Sequence, residues 1–351
     1  MTAALLALAI PATAAPMTAA TATVSCPTGS VQSAINAATP GVETTITVTG
    51  TCTENVDVPA GYIIVLQSGT SAGAVQQKLA SAPGILVMGR LTLKNFTVKS
   101  TLTSSKPVLV ATKMGFILIN GATLTGTGNT YVAVAWETST IEMYDTNITG
   151  GTGQALLVME NAHVYIGVTN AGTYQIKSDN SGAEAIGCYQ GNILMLIDAG
   201  STYKIGPATR AFGSNNCVAR FGYDTSGNTG SIQFSGTDRA VQAKNGDMIT
   251  ISNATLSNTG NSGAAVEEVA GSVTLDKVTV SGTGVGVAAK SGGIVYFRSF
   301  SGTSTVSGTA GAFQCYQNGK IYANTSVISG RTTDTAATDC LVIGGTWTLV
   351  Q

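Results

Sequence analysis

Short apolar runs closed by Asn or Asp recur along most of the chain. They include "LTLKN" ending at Asn95, "FILIN" at Asn120, "VYIGVTN" at Asn170, "LMLID" at Asp198, "ITISN" at Asn253 and "VTLD" at Asp276. Together with Asn147 and Asn324 these positions fall about 25 residues apart, two of the intervals being double steps. Alternation of apolar and polar residues inside the runs is the period-two signature of a half-buried strand. Other runs, such as "ILV", "VLV" and "ALLV", are continuously aliphatic and read as inward residues stacked from unit to unit. A period of this length without helices predicts a β-solenoid, in which the strands of each coil pair in parallel with those of its neighbours. No coil buries its own apolar face, so only stacking builds a core. The Asn/Asp column is expected at a sharp bend, its side chains bonding local backbone and stacking on the next coil. Asn95, Asn147, Asn253 and Asn324 also open glycan-acceptor sequons, a secondary reading.

One helix interrupts the strand pattern. "SVQSAINAATPG" spaces Val31 and Ile35 four apart and ends at Pro40-Gly41, predicting a helix over about 29–38 that caps the amino end of the core. Ahead of it, residues 1–22 read as a leader, with an apolar stretch and small-residue cleavage options at Ala12-Thr13-Ala14 and Ala20-Thr21-Ala22. A basic n-region is missing, and a plain Ala/Thr tail is the alternative. Residues 23–351 then form a single domain of about 12 coils.

The six cysteines obey the same period. "CYQ" occurs at Cys188 and again at Cys315, each followed by another cysteine about one unit later, Cys217 and Cys340. A partner one repeat away lies in the neighbouring coil, within disulfide reach. Cys26 with Cys52 completes a set that follows the repeat, and such bonds imply an oxidising, secreted, cell-surface or periplasmic setting.

At this point the residues resemble a known group. "VQSAINAATPG", "TITVTGTCTENVDVP" and "IIVLQSG", followed by the asparagine column, look like the right-handed parallel β-helix of the pectin-lyase-like superfamily. The resemblance covers nearly all of the chain after the leader and speaks to fold. It implies polysaccharide as the partner, the superfamily containing lyases, polygalacturonases, methylesterases, epimerases, tailspikes and adhesins. The catalytic motifs of those enzyme families are absent from this sequence: no Asp-Asp pair, no Gly-His-Gly, no Asp-Pro-His-Glu, and one histidine, His163.

Composition sharpens the functional classes. Only 10% of the 351 residues are charged and the net charge is −1, which argues against nucleic acid as a partner. After the leader no stretch is apolar enough to span a membrane, no metal-ligand spacing occurs, and no cofactor is implied. The rare charged and aromatic residues gather two or three positions before a recurring Gly. They are Lys113, Trp136 with Glu137, Glu160, Tyr189 with Gln190, Arg220, Lys244, Glu268, Lys290, and Tyr316 with Gln317. On a β-solenoid such a column lines a groove in which aromatics stack on sugar faces and Arg or Lys bind carboxylates. It equally fits a plain solvated face.

The favoured function is a non-catalytic polysaccharide-binding or adhesive module. Two enzyme readings stand beside it: Glu137 and Glu160 as an acid–base pair of a hydrolase, and Arg220 with Lys244 in β-elimination by a lyase. A third class is a structural or ice-binding surface on the Thr-x-Thr/Ser pairs at Thr123, Thr255, Thr279 and Thr305. The carboxyl end, "DCLVIGGTWTLVQ", carries a strand with Trp347 and no evident cap, so either a folded-back tail or self-association is expected there.

Overall fold

The computed structural model describes residues 19–178, 183–198, 200–222, 230–260, 263–298 and 304–323, with the backbone strands Val327–Ser329 and Val342–Ile343. They form a parallel β-helix of about 11 coils. Each coil has three faces. In one coil Arg90–Lys94 lies on the first face, Thr97–Ser104 on the second and Leu109–Ala111 on the third. The next coil repeats them as Phe116–Asn120, Thr123–Asn129 and Ala133–Ala135, every strand pairing in parallel with its counterpart. Some strands bend through a corner: Glu43–Thr53 and Ile63–Gln76 serve the first and second faces, Thr202–Asn215 and Ser231–Lys244 the second and third.

Register shows why the period looked uneven. Ser272 pairs with Ile294, 22 residues on, whereas Val218 pairs with Met248, 30 residues on. The longer coils absorb the residues that made 12 coils the expectation.

Alternation then sorts side chains between core and surface. Along the first face Leu91, Ile117, Ile141, Val164, Ile193 and Ala219 follow one another in register, and all are buried. Full burial of such an aliphatic side chain is worth about 1.5–3 kcal/mol. Where the faces converge, Phe221 packs edge-on against Phe212 and Phe234, with centroids 5.0 and 5.2 Å away. The core is therefore a set of parallel rows, each residue resting on its equivalents above and below.

The amino end is closed as expected. The helix is Val31–Ala37, slightly shorter than its sequence signature, with Val31 and Ile35 fully buried. Ser30 is its N-cap, accepting a hydrogen bond from the Ser33 amide at 3.1 Å. Glu54, from the first coil, accepts from the Val31 and Gln32 amides and from the Ser30 hydroxyl at 2.7, 3.1 and 2.8 Å. That carboxylate occupies the positive end of the helix and ties the cap to the coil.

Two cysteine pairs follow the predicted register. Cys26 bonds Cys52 and Cys188 bonds Cys217, with Cα atoms 5.1 and 5.9 Å apart. The third expected pair, Cys315 with Cys340, involves a residue outside those described, as do Asn324, Trp347 and most of the leader.

The asparagine column is corrected by the structure. Between the first and second faces a single residue takes a left-handed conformation in six coils: Asn95, Gly121, Asp145, Gly222, Asn253 and Lys277. Asn120 and Asp276 sit one residue earlier, at the ends of their strands, and Asn147 begins the second-face strand. At these corners a positive φ, which Asn, Asp and Gly tolerate best, takes the place of a stacked amide, whereas Asn170 donates its side-chain amide to Asp145 of the preceding coil at 2.5 Å. The corner leading back to the first face uses two such residues in succession, as at Lys113–Met114, Glu137–Thr138 and Glu160–Asn161.

Candidate functional site

The third face carries the site, because its outward residues change character along the solenoid. In register they read Leu86, Val110, Val134, Leu157, then Gly187 and Gly213, then Gln242 and Glu267. The middle residue of each aliphatic triplet thus points outward. Val110, Val134 and Leu157 are nevertheless only 4–5% exposed, since Leu86, Tyr131, Met159 and Tyr189 pack around them.

The result is a cleft of about 700 Å³, a volume typical of small-ligand sites. Its floor is Leu86, Val110, Val134 and Leu157, a run of four coils. Tyr131, Trp136 and Tyr189 supply aromatic rims, with Trp136 38% exposed. The segments Ser81–Pro83 and Ser105–Pro107 form a wall. These loops are held by amides: Asn55 donates to the Pro83 carbonyl at 2.6 Å, Gln77 to that of Ala82 at 2.5 Å, and Asn129 to that of Lys106 at 2.8 Å.

Beyond the cleft lies a polar strap. Gln154 donates to Glu184 at 2.7 Å and approaches the Tyr189 hydroxyl at 3.4 Å. Glu184 pairs with Arg210 at 3.0 Å, and Arg210 reaches Gln242. Gln242 donates to Glu267 at 2.6 Å, and Glu267 also pairs with Arg239 at 3.0 Å and Lys290 at 2.6 Å. Arg239 is paired to Asp238 as well. Burial pushes the Glu267 carboxyl up, but hydrogen bonds from Lys290 and Gln242 and the Arg239 charge outweigh it, leaving the carboxyl below its ordinary value. Burial likewise raises the Tyr189 phenol, with the Glu184 charge adding to it, so the hydroxyl stays protonated.

Several of the residues singled out in the sequence do share one register row. Met159, Tyr189, Asn215, Lys244, Val269, Lys290 and Tyr316 follow in order at the end of the third face, with Trp136 in the equivalent position after Ala135. Only Trp136 and Tyr189 reach the cleft. Lys290 lies farther along, 5.5 Å from the Tyr316 ring centroid, and is engaged by Glu267. Lys113, Glu137, Glu160, Gln190 and Gln317 occupy the left-handed corner one residue later. Glu137 there accepts a hydrogen bond from Thr112 at 2.6 Å, and Gln317 one from Ser291 at 2.8 Å. Neither Glu137 nor Glu160 lines the cleft.

Two residues leave the column altogether. Arg220 lies on the first face between Leu194 and Thr250, so it does not adjoin Lys244. The Gly used to align it, Gly222, belongs to the other corner. Glu268 pairs in register with Ala243 and Ala289 and is wholly enclosed within the core. A one-residue offset moves a strand residue to the opposite face, and Val269 holds the outward place.

Inside the solenoid Glu268 has Asp247 for a neighbour, itself 1% exposed. Asp247 accepts from the Ser214 hydroxyl and the Cys217 amide, each at 2.6 Å, and from the Lys244 amide. Glu268 meets the amides of Gly271 and Val269 outside good hydrogen-bond geometry. Burial and then the Asp247 charge push its carboxyl up to about 9.

His163 is exposed on the first face beside Thr140 and Asn192. The Thr/Ser pairs make two in-register rows on the second face, Thr255–Thr279–Thr305 and Ser257–Ser281–Ser307. Among the described residues no cluster of three or more His, Cys, Asp or Glu could hold a metal ion, and no helix is long and apolar enough to cross a membrane.

No protein-family model matches the sequence, and no curated protein matches it. Among solved structures the chain is similar to an alginate lyase from Paenibacillus sp. str. FPU-7, with 16% identity and a TM-score of 0.31 over 86% of this chain and 99% of that one. It is also similar to the A-module of the mannuronan C-5 epimerase AlgE6 from Azotobacter vinelandii, with 11% identity and a TM-score of 0.38 over 92% and 95% of the two chains. The chemistry of the site rests on its own residues.

Proposed function

We propose that this protein is a polysaccharide-binding module that holds its ligand in the third-face cleft without cleaving it. The observation that carries this reading is the conjunction of Tyr131, Trp136 and Tyr189 around an apolar floor four coils long. Parallel strands are about 4.8 Å apart, so the run from Leu86 to Gly187 extends about 19 Å, a length suited to several sugar units. Sugar rings present apolar C–H faces to aromatic planes and hydroxyls to the polar groups at the edge. Here Ser81, Ser105, Thr112 and Gln154 supply that edge.

Support for binding over catalysis comes from the lining itself, which among the described residues includes no carboxylate, histidine or arginine. Two carboxylates are bonded to lining residues: Glu184 is committed to Arg210 and Gln154, and Glu137 to the Thr112 hydroxyl at 2.6 Å. General acid–base work needs such a group free and within reach of the scissile bond. Export to an oxidising compartment completes the proposal, with disulfides stapling adjacent coils. A leader ending at Ala14 suits it best, because Ala20–Ser25 is a strand paired with Thr44–Thr49 and a cut after Ala22 would remove half of it.

The test is retention on a panel of immobilised polysaccharides, with unsaturated-uronate absorbance and reducing ends followed in parallel. Retention with neither product is the expected outcome. Alanine at Trp136 and at Tyr189 is expected to cost about 1–3 kcal/mol per stacking contact, by analogy with nucleobase stacking. Depolymerisation by the native protein, or retention that survives both changes, would overturn the proposal.

A further inference from the structure

We infer that the ligand is an uncharged glycan rather than a uronate polymer, an inference that rests on the cleft being the binding site. Cationic side chains near the site are what would recognise sugar carboxylates, and those of the strap are already spent on the protein's own acids. Arg210 is held by Glu184 at 3.0 Å, Lys290 by Glu267 at 2.6 Å, and Arg239 by both Asp238 and Glu267. Three cations meet three carboxylates, so the strap bordering the cleft is neutral.

Capture of a ligand carboxylate by Arg210 would leave Glu184 buried, at 5% exposure, without its ion-pair partner, and an unpaired buried charge is costly. Gly187 and Gly213 show that the strap is built in. Their missing side chains let Gln154 and Glu184 lie flat over the strand, where an added Cβ would come within 2.9 and 2.5 Å of the respective Cγ atoms.

Among the described residues the cleft lining carries one charged side chain, Lys106, on the outer wall and exposed. Opposite it are Val110, Val134 and Leu157, on which a polymer carrying one carboxylate per sugar would desolvate charge without compensation. A neutral chain stacks its C–H faces on Trp136 and Tyr189 and turns its hydroxyls to Gln154 and the serine wall at no such cost.

The experiment compares neutral polymers (mixed-linkage β-glucan, xylan and galactomannan) with acidic ones (alginate and polygalacturonate). Each is run at low and high salt, with the native protein and with Trp136→Ala. The expected result is retention by a neutral polymer that changes less than about twofold with salt, since screening acts only on charge. That retention should weaken about tenfold or more in Trp136→Ala. Preferential binding of an acidic polymer that is lost with salt yet still depends on Trp136 overturns the neutral ligand while leaving the cleft in place. Retention indifferent to Trp136, or absent from every polymer, overturns the cleft as the site and the inference with it.

Discussion

Gly213 lies directly beneath Glu184: a methyl group at Gly213 would sit 2.5 Å from the Glu184 Cγ and 2.8 Å from Oε1. The two are neighbours on adjacent third-face strands, Glu184 pairing with Arg210 three residues before Gly213. The glycine is therefore a seat for a carboxylate rather than a flexible link. Gly213→Ala must lift Glu184 off the strand and disturb its 3.0 Å pairing with Arg210. Overpacking of this kind costs about 1–3 kcal/mol, to be read as a lowered urea midpoint. An unchanged midpoint would mean that Glu184 moves freely and that the strap is not fixed.

Gly187 makes the parallel case on the cleft side. Its Cβ would meet Gln154 at 2.9 Å and the Tyr189 ring at 3.1 Å. Gly187→Ala is expected to tilt Tyr189 and weaken glycan retention by about 1 kcal/mol or more, a stacking contact being worth at least that. Calorimetric titration with the best polymer of the panel measures it, and Tyr189→Phe should lose less, because the phenol's contact with Gln154 is a long one at 3.4 Å.

The fold was legible because its two signals are local and repeated. Period-two alternation sets which side of a strand is buried, and a 25-residue recurrence sets how coils stack. The cysteine pairs Cys26–Cys52 and Cys188–Cys217 followed from the same count. What the alignment on glycines could not resolve was the corner. Glu268 and Val269 differ by one residue in sequence and by the full thickness of the wall in space. Gly222 and Gly271 look alike in sequence, yet one turns the chain toward the second face and the other follows the corner back to the first. The cleft floor left a trace that was read only as core. In "ILV", "LVA", "AVA" and "LLV" the middle residue is apolar where a solvated strand would place a polar one, and four such triplets in register make an outward apolar strip. Gln154, Glu184, Arg210 and Glu267 come together through coils of unequal length, which no fixed offset reveals.

Glu54 joins the cap to the solenoid. It accepts three hydrogen bonds from the start of the helix, from the amides of Val31 and Gln32 and the hydroxyl of Ser30. Glu54→Ala leaves those donors to water and removes a negative charge from the helix amino end. A loss of about 0.5–2 kcal/mol is expected, with hydrogen exchange quickening first in Val31–Ala37. Exchange that accelerates uniformly along the chain would show that the cap is not a separate unit.

The disulfides invite a direct map. Non-reducing digestion should yield Cys26 joined to Cys52 and Cys188 joined to Cys217. Replacing Cys188 and Cys217 together by Ser is expected to cost about 2–4 kcal/mol. A Cys188–Cys340 peptide would contradict the register of Glu184–Tyr189 against Thr202–Asn215 on which the strap depends.

Glu268 should make stability fall as the pH rises. In the unfolded chain its carboxyl ionises near the ordinary value of 4.5, whereas in the fold burial and the Asp247 charge hold the proton to about 9. Below 4.5 both states carry the proton and the group contributes no pH dependence. Between 4.5 and about 9 the folded state binds more protons than the unfolded one, so each step upward favours unfolding. The stability present at low pH is therefore lost progressively until the folded-state carboxyl itself ionises. Asp247, raised chiefly by burial despite its hydrogen bonds from Ser214, Cys217 and Lys244, pushes in the same direction. Glu268→Gln keeps the shape and removes the titration, Ala243 and Ala289 leaving room on either side in register. The variant should match the native protein near pH 4.5 and exceed it increasingly toward pH 9, as measured by urea unfolding at intervals across that range. A stability difference that stays constant with pH would show that Glu268 is ionised in the folded protein and neutralised by a partner.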